Sequence, residues 1–524
     1  MRDKEETEVT FSARRMNRRK ALSTMGKVGV GVAAVVVAGA AYYAGTATAP
    51  TAAPSTVTKT ATATTTVTTT ITPTVTPTTT TTTTPGELSG EALRKALENA
   101  GMSLPKEPIV LKVCTVGGSR FEFPMRVLLE DMKRKFPWIS DIEFAVAEWE
   151  GTQARVAAEL SSHSGAFDIV HGGWESASPY FVADLLEHLD KYINNPHPEI
   201  GLPWYSTDIP PNILELYNYN GVTYEAAFDV NCMMTYYRKD VFDKLGLKAP
   251  DAFKTWDDAI ATAKKLKENG YATGRCMMRG TKVYEHYLTI LWSLGGVTYD
   301  KATMKPLLDS DICLQALQKD MDLQQYAAPG TETWGDSEIA DAFQTDKVHF
   351  APGEWGGAAS ISTAENPKYA ALMDLGPMPG GPGGPIWQCP TSGSGCFMGG
   401  AGYGIPVESK NKDAAWLVIR YIMGLNPYPD DKTDRYLSKG AQPGRMSVLK
   451  NPGWQNKYLL LKGLSNCLPV ACYKFGQLPE HPDMTMALAT ELHEAIFGGK
   501  DPKQALKDAQ AAWTDIFTKA GYYK

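Results

Sequence analysis

Between residues 108 and 170 short apolar runs alternate with amphipathic stretches, and no other feature of the chain restricts its fold as much. PIVLKVCTV (Pro108 to Val116) is a continuous apolar run, the pattern of a strand buried on both faces of a sheet. RVLLEDMKRKFP then has helical spacing, DIEFAVA (Asp141 to Ala147) reads as a second strand, QARVAAELSS as a second helix and FDIV (Phe167 to Val170) as a third strand. Strand, helix, strand, helix, strand requires an open α/β sheet with right-handed crossovers. Ligands of such sheets bind beyond the carboxyl ends of the strands. GGSRFE (Gly117 to Glu122) follows the first strand and HGGWES (His171 to Ser176) the third. The abrupt stop of FDIV at two glycines and a tryptophan has two readings, a packed turn or a ligand site, and both stay open. His171 reads as a structural histidine.

The first 50 residues are a different polymer from the rest. Arg14, Arg15, Arg18, Arg19 and Lys20 precede VGVGVAAVVVAGAAYYAG (Val28 to Gly45), an uncharged run long enough to cross most of a bilayer at about 1.5 Å per residue. The positive-inside rule places residues 1–27 in the cytoplasm as a basic tail, 28–45 as a transmembrane anchor or signal segment, and everything after Gly45 outside. NRRKALS (Asn17 to Ser23) resembles a twin-arginine export signal. Ala47-Thr48-Ala49 offers a cleavage site that Pro50 disfavours, so a retained anchor is expected, with secretion as the alternative if the segment is removed. Residues 46–88 are rich in threonine and proline, a composition that builds no core and reads as a stalk. The folded part opens with a short helix and lead-in over 89–106. The expected location is the extracellular face of the cytoplasmic membrane.

Size and charge exclude other classes. A chain of 524 residues, 43% hydrophobic, has material for two cores. Its formal net charge of -6 gives no basic field for nucleic acid. The eight cysteines contain no C-x-x-C and the histidines do not cluster, so neither a metal nor a cofactor is expected. Cys389 with Cys396, and Cys467 with Cys472, are close enough in sequence to be expected as disulfides, whereas Cys114, Cys232, Cys276 and Cys313 sit in apolar runs as core residues. TWDDAIATAKKL begins like a capping box on Thr255 and Asp258, and Trp256, Trp416 and Trp513 lie at helical spacing that points to the core.

GVTYEAAFDVNCMMTYYRKDVFDKLGLKAPDAFKTWDDAIATAKKLKENG (Gly221 to Gly270) resembles the middle of an ABC-transporter extracellular solute-binding protein of the sugar-binding family 1, of which maltose-binding proteins are members. Tyr236, Tyr237, Lys239, Asp240, Phe242, Gly246, Leu247, Pro250, Thr255, Trp256 and Asp257 carry the likeness, and Ala227 stands where many members have proline. The order continues through AFQTDKVHFAPGEWGGA (Ala342 to Ala358), GGAGYGIPVESKNKDAAWLVIRYIM (Gly399 to Met423) and KDPKQALKDAQAAWTDIF (Lys500 to Phe517). The resemblance implies a two-lobed α/β clamp with several interlobe crossings. Residues 107–226 plus 373–425 are expected as lobe 1 and 227–372 plus 426–524 as lobe 2, with the hinge at Ala226 to Asp229. The implied protein is a monomer that delivers a sugar to the permease subunits of an importer.

A sugar presents flat C–H faces and rings of hydroxyls, so its site needs exposed aromatic platforms and fixed polar partners. On that chemistry the candidate ligand-binding residues are Trp174, Glu175, Asp229, Glu354, Trp355, Tyr403, Arg120, Tyr284 and Tyr287. Asp229 lies where the family commonly places a ligand-binding acid. The loops read as aromatic-rich and weakly charged, which favours an oligosaccharide over a phosphorylated or cationic solute. Other polar solutes such as a glycerol phosphodiester or a peptide, a surface adhesin, and a glycosidase using Glu175 and Glu354 are the alternatives; no catalytic residue is assigned.

Overall fold

The computed structural model describes residues 90–118, 120–173, 177–355, 371–381, 397–471 and 478–523. Trp174, Glu175, Cys389, Cys396 and Cys472, the apolar run 28–45 and the Thr-rich stretch lie outside the described residues. No helix among the described residues is long and apolar enough to cross a membrane.

The opening elements follow the alternation of the sequence: α1 (Gly90–Asn99), β1 (Ile109–Val116), α2 (Leu129–Lys135), β2 (Ile139–Ala147), α3 (Trp149–Ser162) and β3 (Ile169–Gly173). β1 pairs in parallel with β2 on one side and β3 on the other. One strand then organises the whole molecule. β4 (Glu225–Arg238) is 14 residues long and buried throughout. Its first part, Glu225 to Cys232, pairs antiparallel with β7 (Met398–Gly404), and its second part, from Met233, pairs with β5 (Phe350–Trp355) and β6 (Met373–Gly376). The strand order is β2-β1-β3-β7-β4-β5, with β6 also on β4. A register shift lies between Ala227 and Asp229, within the stretch paired with β7, and the change of partners falls between Cys232 and Met233.

The stretch expected as the hinge, Ala226 to Asp229, spans that shift and lies ahead of the change of partners. The lobe boundaries differ from expectation in two places. Residues 373–376 pair with the second part of β4 and so sit with lobe 2, because β6 needs that strand for its hydrogen bonds. The stretch after residue 425 first returns to lobe 1: Arg435 is ion-paired with Asp131 and donates to the Val127 carbonyl at 2.9 Å, and Arg445 reaches Asp208 at 2.8 Å.

Helices α4 (Trp256–Glu268), α5 (Thr281–Ser293), α6 (Asp311–Gln324), α7 (Asp336–Gln344), α8 (Lys412–Met423), α9 (Leu459–Cys467), α10 (His481–Ile496) and α11 (Pro502–Ala520) cover the sheet. The Thr255 hydroxyl caps α4 by accepting from the Asp258 N–H, and the Asp258 carboxylate accepts from the Thr255 N–H in return. Trp256, Trp416 and Trp513 are core residues, as their spacing implies; the last two donate their indole N–H to the carbonyls of Ile200 and Met484. Cys114, Cys232, Cys276 and Cys313 are buried among apolar neighbours, and Cys467 is buried at the end of α9.

β3 does not stop at Val170. His171, Gly172 and Gly173 continue it, pairing with Tyr403, Gly402 and Ala401 of β7. The glycine at 172 answers a packing demand: a Cβ there would lie 1.9 to 2.1 Å from the carboxylate of Glu225, which is fully buried against this strand.

Candidate functional site

A cavity of about 590 Å3 opens beyond the carboxyl ends of β1 and β2, where the sheet geometry places ligands. Its lobe 1 wall is the segment after β1 (Val116, Gly117, Gly118, Arg120, Phe121, Phe123) and the segment after β2 (Glu148, Trp149, Glu150). Asn231 of β4 and Gly400 of β7 form the floor at the crossing. The lobe 2 wall comes from the start of α5 (Thr281, Lys282, Glu285), the start of α7 (Gly335 to Glu338, with Asp341) and Trp355 at the end of β5.

Of the residues proposed from the sequence, Arg120 and Trp355 line this cavity from opposite lobes. Asp229 stands directly behind Arg120, with its Oδ1 3.3 Å from the Arg120 Nε. That contact misses hydrogen-bond geometry, and neither carboxylate oxygen of Asp229 has a hydrogen-bond partner among the described residues. Burial pushes the Asp229 carboxyl up to about 6, the guanidinium of Arg120 opposing and the charge of Asp336 adding to the shift. Arg120 also lies over the Phe121 ring at 4.3 Å. Trp355 is held in place by its indole N–H, which donates to Glu285 Oε2 at 2.6 Å, and by an edge contact with Phe397 at 5.6 Å. Lys282 sits 5.9 Å over the Trp355 ring and 2.9 Å from Asp336 Oδ1. Burial lowers the Lys282 ammonium, but Asp336 and Glu285 outweigh it and leave the group well above its usual range.

The other described candidates, Glu354, Tyr403, Tyr284 and Tyr287, do not line this cavity. Glu354 is wholly buried and accepts from the backbone N–H groups of Cys276 (2.9 Å) and Trp355 (2.8 Å) and from His286 Nε2 (2.8 Å). Burial pushes its carboxyl up, yet the charge and hydrogen bond of His286 and the two N–H donors hold it below the usual carboxylate range. The general acid of glycoside hydrolysis has its carboxyl shifted the other way, upward. Tyr403 is buried on β7, within 3.3 Å of the Thr115 hydroxyl and stacked on Phe228 at 3.8 Å. Tyr284 and Tyr287 are fully buried on α5, bonded to His481 (2.8 Å) and to the Cys313 carbonyl (3.3 Å). Their burial follows from α5 packing against α6 and α10, which no local spacing reveals.

His171 is fully buried, and its Nε2 has no hydrogen-bond partner among the described residues. It is enclosed by the rings of Phe121, Trp149, Phe228 and Tyr403 and lies 3.1 Å through Nδ1 from the Thr115 hydroxyl. Burial, then the charge of Arg120, lowers its pKa to about 3, so it is neutral. Trp149 with Glu148 and Glu150, and the acids of α7, were absent from the sequence-derived set. EWEG directly after the second strand was the available signal, since a strand's carboxyl end is where a ligand residue is expected. Among the described residues no group of His, Cys, Asp and Glu is placed to hold a metal.

A family model described as bacterial extracellular solute-binding protein matches residues 140–424, more than half of the chain. The chain belongs to that family. A Sinorhizobium fredii protein named "Probable amino-acid ABC transporter periplasmic-binding protein" is 24% identical over 451 residues, covering 82% of this chain and 95% of the relative. Among solved structures, a mannitol-bound ABC transporter solute-binding protein of Agrobacterium vitis superposes with a TM-score of 0.67 at 24% identity, over 79% of this chain and 100% of that one. Maltose-bound MalE3 of T. maritima gives 0.66 at 21% identity, over 78% and 99%. These likenesses establish the two-lobed fold of the solute-binding family.

Proposed function

We propose that this protein is the extracytoplasmic substrate-binding component of an ABC importer, and that it captures a sugar or polyol between its lobes and delivers it to permease subunits. The observation that carries this reading is the interlobe cavity, walled by Arg120, Phe121 and Trp149 on one side and by Trp355 and Lys282 on the other. Aromatic faces and fixed polar groups are what a polyhydroxylated solute requires. Structural neighbours that hold maltose, mannitol, ribitol and tagatose support the same class. Arg120, Trp355 and Asp229 are the proposed core of the site. Trp174 and Glu175, which follow β3 in sequence, are proposed to complete the lobe 1 wall. In this reading residues 28–45 tether a monomer to the membrane and 46–88 hold it away from the surface.

Thermal shift of the full chain against mono- and disaccharides and sugar alcohols tests the reading. Binding at a concentration of 100 Kd adds about 2.7 kcal/mol of stability. A panel in which no sugar or polyol shifts unfolding sinks it.

A further inference from the structure

The loops around the cavity are not weakly charged as expected. Glu148, Glu150, Glu285, Asp336, Glu338 and Asp341 line it, drawn together from distant stretches of chain, and carboxylates accept from sugar hydroxyls as the Arg120 guanidinium donates to them. Hydrogen-bonding groups therefore do not limit how many sugar units fit; room and ring faces do. The volume of about 590 Å3 exceeds what one unit needs, since a hexose displaces roughly 180 Å3, the volume of about six waters at ~30 Å3 each. The aromatic side chains of the wall also differ in depth. Phe121 and Trp355 are 8% and 4% exposed, Trp149 is half-buried, and Phe123 is 43% exposed, which puts it at the mouth. The local sequence explains why Phe123 points outward but not why it is apolar. In the helical turn Glu122–Arg126, Pro124 and Met125 are buried, with Phe121 before them and Leu128 after, and only Phe123 and Arg126 are exposed. Arg126 does not cover its neighbour: it is ion-paired with Glu122 and lies over the Phe144 ring at 4.3 Å. No other ring and no cation packs on the Phe123 ring among the described residues. Val146, 40% exposed, adds apolar surface on the same side, close enough that a Cβ at Gly117 of the cavity wall would lie 3.5 Å from its own. A single exposed phenylalanine is ordinary on a protein surface, but one that lines a cavity beside Trp149 offers a free face where a sugar ring can stack.

We propose that Phe123 is the platform of an outer subsite: the solute is a saccharide of at least two units, the first held between Arg120 and Trp355 and the second stacked on Phe123 at the mouth of the cavity. The proposal rests on the sugar-capture reading. Calorimetric titration of the full chain with mannitol, glucose, maltose, maltotriose, cellobiose and cellotriose tests it. Wild-type affinity should rise from one unit to two or three in one of the two series. Phe123→Ala should weaken the two- and three-unit probes by about three- to tenfold and leave mannitol and glucose unchanged, while Phe123→Tyr, which keeps a ring face, should retain the wild-type values. The unfolding midpoint without solute should not fall in either variant, because the side chain is exposed. Trp355→Ala, by contrast, should weaken every probe that binds. An equal loss at all lengths in Phe123→Ala would mean that the ring packs against lobe 2 on closure, and no loss at any length would mean that it serves a contact other than the solute. Either result overturns the proposal, as does binding of mannitol or glucose while no longer saccharide binds, and all three leave the sugar reading standing. If no probe binds, both fall.

Discussion

At Asp229 burial and charge pairing act in opposite directions, and burial wins: the carboxyl is pushed up to about 6 although Arg120 lies 3.3 Å away. A carboxyl raised in the folded state contributes stability that is fully present below its unfolded value of 3.8 and is lost as pH rises through 6. The amount is about 3 kcal/mol. His171 runs the other way, its contribution present above 6.5 and lost as pH falls toward 3. The two partly cancel in the wild-type profile, so Asp229 is best read by difference. Urea midpoints of Asp229→Asn and wild type, taken from pH 4 to pH 8, should diverge in favour of the variant as pH rises to about 6 and then run parallel. Arg120 faces an uncharged side chain in the variant at every pH, and its attraction to ionised Asp229, which acts in the wild type only above about 6, is already contained in that value. Parallel curves throughout would mean that Asp229 is not held out of water. Trp355 offers a second test at this scale. Trp355→Ala should weaken solute binding by about 1 to 3 kcal/mol, whereas Trp355→Phe keeps a ring face and loses the bond to Glu285, so it should cost stability more than affinity. Equal calorimetric affinities for wild type and Trp355→Ala would remove the residue from the site.

Among the elements, β3 shows both what periodicity reveals and where it stops. The apolar run Phe167 to Val170 announces a buried strand, and β1, β2 and α3 are legible for the same reason, since a period of 2 or 3.6 is a local property. His171 to Gly173 look like a loop because glycine carries no period. Their strand state depends on β7, more than 200 residues further on, and on the Glu225 carboxylate that fills the space a side chain at 172 would take. The site divides along the same line. Arg120, soon after β1, and Trp355, at the end of β5, line the cavity that the strand ends point to. Trp149 stands just after β2 in EWEG, where the same rule applies, but its contacts with His171 and Phe121 form only after β1, β2 and β3 are aligned. The packing claim is testable as a cycle. Gly172→Ala should cost about 1 to 3 kcal/mol or more, and markedly less in a Glu225→Ala background. Additive costs, measured by urea unfolding of the four proteins, would show that the two positions do not compete for space.

For the whole molecule the question is whether two lobes behave as two folding units. β4 belongs to both, running unbroken from its pairing with β7 to its pairing with β5 and β6. The chain also returns to lobe 1 after residue 425, where Arg435 and Arg445 hold it to Asp131 and Asp208, before α9, α10 and α11 pack on lobe 2. One apolar cluster accordingly contains Val113 and Ile169 from the first strands as well as Leu488 and Trp513 from the last helices. Separating the lobes without unfolding either would break β4 within its own hydrogen-bonded length, which favours a single cooperative transition despite the size of the chain. In the proposed reading a solute that bridges Arg120 and Trp355 would stabilise one closed arrangement of both lobes. Scanning calorimetry of the full chain should therefore give one endotherm that moves as a unit when a bound solute is present, by about 2.7 kcal/mol at 100 Kd. Small-angle scattering should show contraction under the same conditions. Two endotherms, only one of which responds to solute, would mean that the lobes fold separately and that the solute binds within one of them and not between the two.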